Sequence, residues 1–138
     1  MDTPSPRPAP IEPVPTPTSQ RFWDALGEGR VELQQCDDCS SWIYYPRSRC
    51  SNCLSANLTW RPIAGTGTLS TFTVARQPTT PAFADVDELI LGVVELDEGP
   101  KMTTSLEYVA SADVVIGMRL APVFVAVGEH TVLRHRPA

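Results

Sequence analysis

The chain has 138 residues, of which 42% are hydrophobic and 7% aromatic, and its formal net charge at pH 7 is −5. This length accommodates one ordinary domain or two very small ones, and the hydrophobic fraction suffices for a packed core. No apolar run approaches the ~20 residues that cross a bilayer, and the acidic balance argues against a dedicated nucleic-acid binder, which presents a basic face to phosphates.

The chain begins with a proline-rich segment, residues 1–17. Seven of the 14 prolines lie between Pro4 and Pro17. Proline lacks an amide donor and disfavours helix at the residue before it, so an extended polyproline II segment is expected. It would serve as a linker or as an arm that docks on a partner. Because it has neither the basic start nor the apolar stretch of a secretory signal, we expect a cytoplasmic protein that is not bound to a membrane.

A short amphipathic helix is predicted after this segment. Thr18 or Ser19 can cap the free amide groups of its first turn. Gly27 and Gly29 are expected to end it. Its apolar stripe, which we interpret as a packing surface rather than a ligand stack, consists of Phe22, Trp23, Ala25 and Leu26.

From Arg30 onward the pattern changes to short strands. Strands are expected within residues 31–36, 42–45, 58–63, 68–75, 89–96, 101–106, 119–127 and 131–136, with a helical turn within 110–117. The last five strands, with a short helical element between the third and the fourth, fit an OB-type Greek-key barrel. A sandwich fragment or another small barrel has a similar strand count.

All four cysteines lie in two identical units with a two-residue gap. The units are Cys36–Cys39 and Cys50–Cys53, and ten residues separate them. A two-residue gap lets both thiolates of a turn face one centre, so two such turns complete a tetrahedral site with four sulfur ligands. The spacing predicts one structural Zn²⁺ bound by Cys36, Cys39, Cys50 and Cys53.

Four cysteines in two such pairs also fit three alternatives to zinc. Paired disulfides need an oxidising compartment, which the missing signal peptide argues against. A redox pair of the thioredoxin type leaves the second unit unexplained. Iron in a rubredoxin-like site remains chemically open.

Together, these patterns predict a mainly β chain with three parts. They are a linker or arm (1–17), a helix with a zinc ribbon (18–64) and an OB-fold (65–138).

Residues suited to catalysis are scarce. No serine lies in a nucleophile elbow, and the sequence has neither a phosphate-binding glycine loop nor a dinucleotide fingerprint. His130 and His135 both fall in the terminal hairpin, where geometry is expected to be least constrained. We therefore predict no catalytic residue in this chain.

Several charged residues have an ordinary explanation. Arg47 and Arg49 are weak candidates for binding a phosphate group, but we favour a role in offsetting the negative charge of a metal–tetrathiolate centre. Asp97 and Glu98 are interpreted as members of a solvated loop. Two strand regions, 89–94 and 123–127, lack charge and are apolar on both faces, which predicts that a partner covers one face.

The order of motifs resembles that of a family of small proteins, once catalogued as a domain of unknown function, in which a rubredoxin-like zinc ribbon precedes an OB-fold. This chain departs from the family pattern at Ser40 and Leu54, where glycine often follows each cysteine pair. The similar motifs run from residue 19 to 137 and are Phe22-Trp23, Gly29-Arg30, the two cysteine pairs, Tyr45-Pro46-Arg47, Trp60, Gly65-Thr66-Gly67-Thr68, Val94-Glu95-Leu96-Asp97-Glu98-Gly99, Ile116-Gly117-Met118 and Arg136-Pro137.

This resemblance implies a non-catalytic subunit that assembles with and activates a thiolase-like enzyme, whose substrate is a coenzyme A thioester. The sub-group that looks most similar is the C-terminal domain of a MaoC-like enoyl-CoA hydratase subunit in steroid side-chain degradation, a branch of lipid metabolism. Such domains assemble with a thiolase-like aldolase that performs a retro-aldol cleavage. The proline-rich segment would then join this domain to the hydratase domain. Two alternatives remain at this stage, a zinc-ribbon/OB protein that binds single-stranded nucleic acid and a free-standing acyl-CoA-binding protein.

Overall fold

A computed structural model describes residues 12–76 and 88–138 of the chain. The described part is mainly β and carries one α-helix near its start, as predicted. Its strands form a three-stranded sheet followed by a five-stranded sheet. No helix in the described part is long and apolar enough to span a membrane.

The helix α1 spans Gln20–Gly27 and buries Phe22, Ala25 and Leu26. The predicted side-chain cap at Ser19 is wrong. Ser19 adopts helical backbone angles and makes no capping hydrogen bond. Its buried hydroxyl instead accepts from the Thr16 amide at 2.9 Å, which closes a turn in the chain leading into the helix.

The first sheet is the ribbon, in which the longest buried strand lies in the middle. Its strands are β1 (Val31–Cys36), β2 (Trp42–Ile43) and β3 (Leu58–Ile63), in the order β2-β1-β3. Both neighbours pair with β1 in antiparallel register. The run predicted within 42–45 is therefore shorter than expected, because the chain leaves the sheet after Ile43.

The second sheet contains five antiparallel strands in the order β6-β5-β4-β7-β8. An isolated parallel bridge joins Leu106, which follows the edge strand β6, to His135 in the other edge strand, β8. A 3-10 helix at Ser111–Asp113 lies between the third and the fourth strand. The strands are β4 (Gly67–Ala75), β5 (Leu89–Leu96), β6 (Lys101–Ser105), β7 (Arg119–Val127) and β8 (His130–Pro137).

One apolar core runs through the helix, the base of the ribbon and the barrel. Leu26 of α1 and Leu33 of β1 belong to the same buried cluster as Leu69 and Leu120 of the barrel. The chain passes from ribbon to barrel at Gly65, whose φ of +79° favours glycine and where a Cβ atom would lie only 3.1 Å from the Val31 side chain. The ribbon base and the barrel therefore pack as one unit.

Candidate metal centre

The four cysteines converge at the tip of the ribbon. Their sulfur atoms all lie within 4.8 Å of one another. The Sγ atoms of Cys36 and Cys53 are 3.6 Å apart, and those of Cys39 and Cys50 are 3.5 Å apart. A tetrahedral zinc site with Zn–S bonds of about 2.3 Å places its sulfurs about 3.8 Å apart, so these two distances are within about 0.3 Å of that spacing.

The two cysteine pairs occupy equivalent turns. The amide of Ser40 donates to the carbonyl of Cys36 at 2.9 Å, and the amide of Leu54 donates to that of Cys50 at 3.0 Å. Ser40 and Leu54 have φ values of 65° and 66°, in the left-handed region that favours glycine. Both turns therefore form without glycine, at the cost of two strained backbone positions.

Polar groups around the sulfurs influence their ionisation. The backbone amide of Asn52 donates to Cys50 Sγ at 3.3 Å. The Ser41 hydroxyl lies 3.3 Å from Cys39 Sγ. This hydroxyl, the Ser41 backbone amide and the Asn52 side chain lower the pKa of Cys39 to about 6. At Cys53, the backbone amide of Ser55 lowers the pKa of the thiol. The neighbouring cysteine thiols and burial raise it by more, so the pKa of Cys53 is about 12.

A buried glutamine, which the sequence did not reveal, holds the segment that leads into the second turn. Gln34 on β1 donates to the Arg47 carbonyl and accepts from the Arg47 amide, both at 2.8 Å. The fold thus uses the backbone of Arg47, while its side chain is exposed. The guanidinium of Arg49 donates to the Leu54 carbonyl at 3.2 Å. Phosphate binding by either arginine stays a prediction.

Aromatic side chains brace the same segment against the helix. Trp23 Nε1 donates to the Tyr45 hydroxyl at 3.1 Å. The ring of Phe22 lies 6.1 Å from that of Tyr44 and 6.0 Å from that of Tyr45, centroid to centroid. Phe22 and Trp23 therefore act as packing residues, as predicted.

His135 has a structural environment that the sequence did not suggest. It is fully buried, with Nδ1 2.8 Å from Thr104 Oγ1 and Nε2 3.0 Å from the Gly65 carbonyl. Because a carbonyl only accepts, Nε2 carries the proton and Nδ1 accepts from Thr104. Burial holds the pKa of His135 below its usual range, which the bond to Gly65 opposes in part. The expectation that this histidine is weakly constrained is therefore wrong.

His130 contacts Glu12, the first described residue of the proline-rich segment. Its Nδ1 lies 2.9 Å from a carboxylate oxygen of Glu12, and the Glu129 amide donates to the same oxygen at 3.3 Å. The contact with His130 lowers the pKa of the Glu12 carboxyl. At least the end of the predicted arm thus lies against the β7–β8 hairpin.

Asp97 lies in an exposed turn, as predicted, whereas its neighbour Glu98 is half-buried. Asp97 accepts two bonds from Arg119, at 2.8 and 2.9 Å, and one from the Thr66 hydroxyl at 2.7 Å. Arg119 and then Thr66 lower the pKa of Asp97 to about 2. In contrast, Oε1 of Glu98 is buried and has no hydrogen-bond partner among the described residues.

Apolar surface remains outside the core. Ile90 and Val94 face inward and are buried, whereas Leu91 and Val93 on the opposite face of β5 line an open groove of about 230 Å³. Tyr108, Val115 and Ile116, which follow β6, are also exposed. This arrangement agrees with the two-sided apolar pattern, and the covering partner stays a prediction.

Comparisons with known proteins match both parts of the chain. A family model for the ChsH2 rubredoxin-like zinc ribbon domain matches residues 23–59, and one for the ChsH2 C-terminal OB-fold domain matches residues 60–125. The solved structure described as "Ltp2-ChsH2(DUF35) aldolase" contains a chain that is 28% identical, with a TM-score of 0.81. The similarity covers 91% of this chain and 98% of that one.

Two further relatives extend the comparison. A DUF35-family protein of unknown function from Sulfolobus solfataricus has the same fold, with a TM-score of 0.63 at 13% identity, and the match covers 88% of this chain and 86% of that one. A probable enoyl-CoA hydratase alpha subunit from Thermomonospora curvata is 33% identical over 98 residues. That match covers 70% of this chain but only 30% of the relative.

The predicted fold class, an N-terminal helix, a rubredoxin-like zinc ribbon and a five-stranded OB-fold, is confirmed by these matches and by the strand order. The boundaries at residues 17/18 and 64/65 stay predictions. The clustered cysteines match a metal-binding ribbon.

Proposed function

Because the chain belongs to the family of ChsH2 zinc-ribbon and OB-fold domains, we propose that it is the accessory subunit of a thiolase-like aldolase. The similarity to a chain of the Ltp2-ChsH2(DUF35) aldolase, over nearly the full length of both chains, carries this proposal. The substrate would be a coenzyme A thioester with a steroid side chain, cleaved by a retro-aldol step on the partner. The site of action would be the cytoplasm.

The proposed resident metal is one zinc ion bound by Cys36, Cys39, Cys50 and Cys53, with iron as the chemical alternative. Four thiolates leave no position for water, so the ion would cross-link the ribbon tip and take no part in the reaction. The clustering of the four sulfurs within 4.8 Å of one another supports this assignment.

The environments of the ionisable groups support a non-catalytic role. His135 is buried and bonded at both ring nitrogens, and Asp97 is paired with Arg119. Neither is placed to exchange a proton with a substrate. The subunit would instead position active-site segments of the partner, where small displacements of reacting groups change rates by about 10²-fold.

A second proposed partner is a MaoC-like hydratase domain. This chain spans 30% of the length of the hydratase alpha subunit that it matches. A hydratase domain would precede the proline-rich segment, and the contact of Glu12 with His130 would direct that segment along the terminal hairpin.

Co-expression with an Ltp2-type aldolase tests the proposal. We expect a stable heteromeric complex in size-exclusion chromatography with light scattering, and acyl-CoA cleavage that requires both chains. The matched control is His130→Ala, which alters an exposed contact and should leave cleavage within a few-fold of wild type. Thioester turnover by this chain alone, or full aldolase activity without it, would contradict the accessory role.

A further inference from the structure

The described part of the proline-rich segment is attached at two points to the body, by which we mean the helix, the ribbon and the barrel. We call residues 12–19 the strap. Three of its residues are prolines, namely Pro13, Pro15 and Pro17. Pro13 and Pro15 are half-buried, whereas Val14 between them is 86% exposed. The strap therefore has one shielded side and one open side.

The first attachment point is at the turn between β7 and β8. Glu12 Oε2 accepts from the Glu129 backbone amide at 3.3 Å and lies 2.9 Å from His130 Nδ1. Gly128 has a φ of +59°, and a Cβ atom at this position would overlap the Glu12 carboxylate. Three consecutive residues therefore offer one carboxylate a space without a side chain, a backbone donor and a ring nitrogen.

The strand ladder leaves these groups available. Val127 pairs with His130 across the turn, so the Glu129 amide has no strand partner. A backbone amide needs a hydrogen-bond partner, and Glu12 supplies it. The pKa of the Glu12 carboxyl is lowered mainly by the contact with His130 and next by this amide, so the turn favours the charged carboxylate.

The second attachment point is the turn that leads into α1. The Thr16 amide donates to Ser19 Oγ at 2.9 Å, and the Gln20 amide donates to the Thr16 carbonyl at 2.8 Å. Ser19 is fully buried. Gln20 and His130 also line one cleft of about 420 Å³ between α1 and the hairpin, so the strap connects the two walls of that cleft.

Proline makes this attachment effective although each contact is weak. A carboxylate pair at the surface contributes little by itself, because ordering flexible groups costs conformational entropy. Proline fixes φ near −65°, so a proline-rich strap has few conformations to lose when it docks. Only three residues separate Glu12 from Thr16, and two of them are prolines. We therefore expect the strap to stay docked in solution.

We propose that residues 128–130 form a carboxylate-binding site that docks the strap through Glu12 and fixes the point at which the preceding chain leaves the body. The strap is then a rigid element instead of a free linker. Its docking needs no partner. One consequence rests on the proposed function, since a hydratase domain that precedes the segment would be tethered beside the β7–β8 turn.

The first experiment measures backbone order by ¹⁵N relaxation of the metal-loaded chain. The reporter amides are those of Val14 and Thr16, because the prolines of the strap have none. In wild type their heteronuclear NOE values should match those of the barrel strands, and in Glu12→Ala the value at Val14 should fall by at least half. The matched control is Glu129→Gln, which changes an exposed carboxylate in the same turn but keeps the backbone amide. Val14 should stay ordered in this control.

Two results of this experiment would overturn the proposal. One is a Val14 amide that is as mobile in wild type as a free chain terminus, and the other is a Val14 amide that stays ordered in Glu12→Ala. The barrel resonances should keep their positions in Glu12→Ala. Their general loss would show that Glu12 supports the fold as a whole, which also contradicts a docking role.

The second experiment reads the tautomer of His130 at pH 8 by long-range ¹H–¹⁵N correlation. A carboxylate only accepts, so the docked Glu12 requires the proton on Nδ1 of His130. We expect this form in wild type, and its population should fall by at least half in Glu12→Ala. His135, whose proton is on Nε2, is the internal control and should not change. Neither experiment involves an aldolase or a hydratase, so a failure here is distinct from a failure of the proposed function. A His130 tautomer that is the same in both proteins would overturn the carboxylate-binding site.

Discussion

The ribbon tip and the barrel are stabilised by different means. The buried cluster at the tip contains only Cys36, Ile43 and Cys50, with Cys39 and Leu58 packed beside it. Among the described residues, the barrel shares a buried cluster of twelve residues with the helix and the ribbon base. Apolar burial contributes about 25 cal/mol per Å², so a tip with so little apolar surface would depend on the proposed metal ion for its stability, whereas the barrel would not.

The boundary between the two regions lies within the ribbon, along β1, and not where the ribbon joins the barrel. Val31 and Leu33, in the first half of β1, belong to the large core, whereas Cys36 at its end belongs to the small one. The hydrogen bond from His135 to the Gly65 carbonyl holds the junction from the barrel side. Unfolding of the ribbon tip should therefore extend only to the middle of β1, because the first half of this strand packs in the large core.

The largest expected effect comes from removing a metal ligand. Structural zinc contributes roughly 10–16 kcal/mol to folding in zinc-finger peptides, so Cys39→Ser should release the metal and unfold the tip. Solubility should fall as well. Elemental analysis should find about one zinc per chain in wild type and none in the variant. In hydrogen exchange, the backbone amides of the tip should lose their protection in the variant, whereas those of the barrel should keep it. A tip that stays protected without any metal would contradict this comparison.

The second largest expected effect is a loss of stability at the junction between the ribbon and the barrel. His135→Ala leaves the Gly65 carbonyl and the Thr104 hydroxyl without their partner and opens a cavity, so it should lower the free energy of unfolding by about 2–4 kcal/mol. His130→Ala is the matched control, because His130 is half-buried and its one described side-chain bond, to the surface carboxylate of Glu12, is worth no more than about 1 kcal/mol. Urea unfolding monitored by tryptophan fluorescence measures both. Equal stability of the two variants would show that the junction does not depend on His135.

Acid should weaken the same junction. The pKa of His135 is lower in the folded than in the unfolded chain, so its neutral form stabilises the fold fully above the unfolded value, about 6.5. That stability is lost as pH falls through the folded pKa, at no more than about 1.4 kcal/mol per pH unit for one proton. Unfolding measured between pH 8 and pH 5 in the His130→Ala background should show this loss. The slope should disappear when His135→Gln is added, and a slope that persists would assign it to other groups.

The smallest expected effect is a gain in the stability of the ribbon tip. Leu54 has φ of 66° and is 70% exposed, so Leu54→Gly relieves backbone strain while removing little packing. After the entropic cost of glycine, a stabilisation of roughly 0.5–1 kcal/mol is expected. Chelator competition should show tighter metal retention in this variant. Leu54→Ala keeps the strained φ and is the control, and an equal gain from it would show that strain is not the cause.

Local patterns predicted most of the architecture. The spacing of the cysteines, the alternation of apolar residues and the turn residues act over a few positions, so the β1, β3 and β5 bounds and the sulfur cluster follow from the sequence. The helix position was also predicted, although its cap was not. Ser19 failed as a cap because a competing bond with Thr16, formed by the preceding turn, took its hydroxyl.

The tertiary structure alone decided which polar groups meet. His135 reads as a strand residue between two arginines, and only the approach of β8 to Gly65, seventy positions away, makes it a buried link. The same holds for Gln34 with Arg47 and for Asp97 with Arg119. A hydrogen bond needs two atoms within about 3 Å, and for groups on different elements that distance depends on sheet register and closure, which no local pattern encodes.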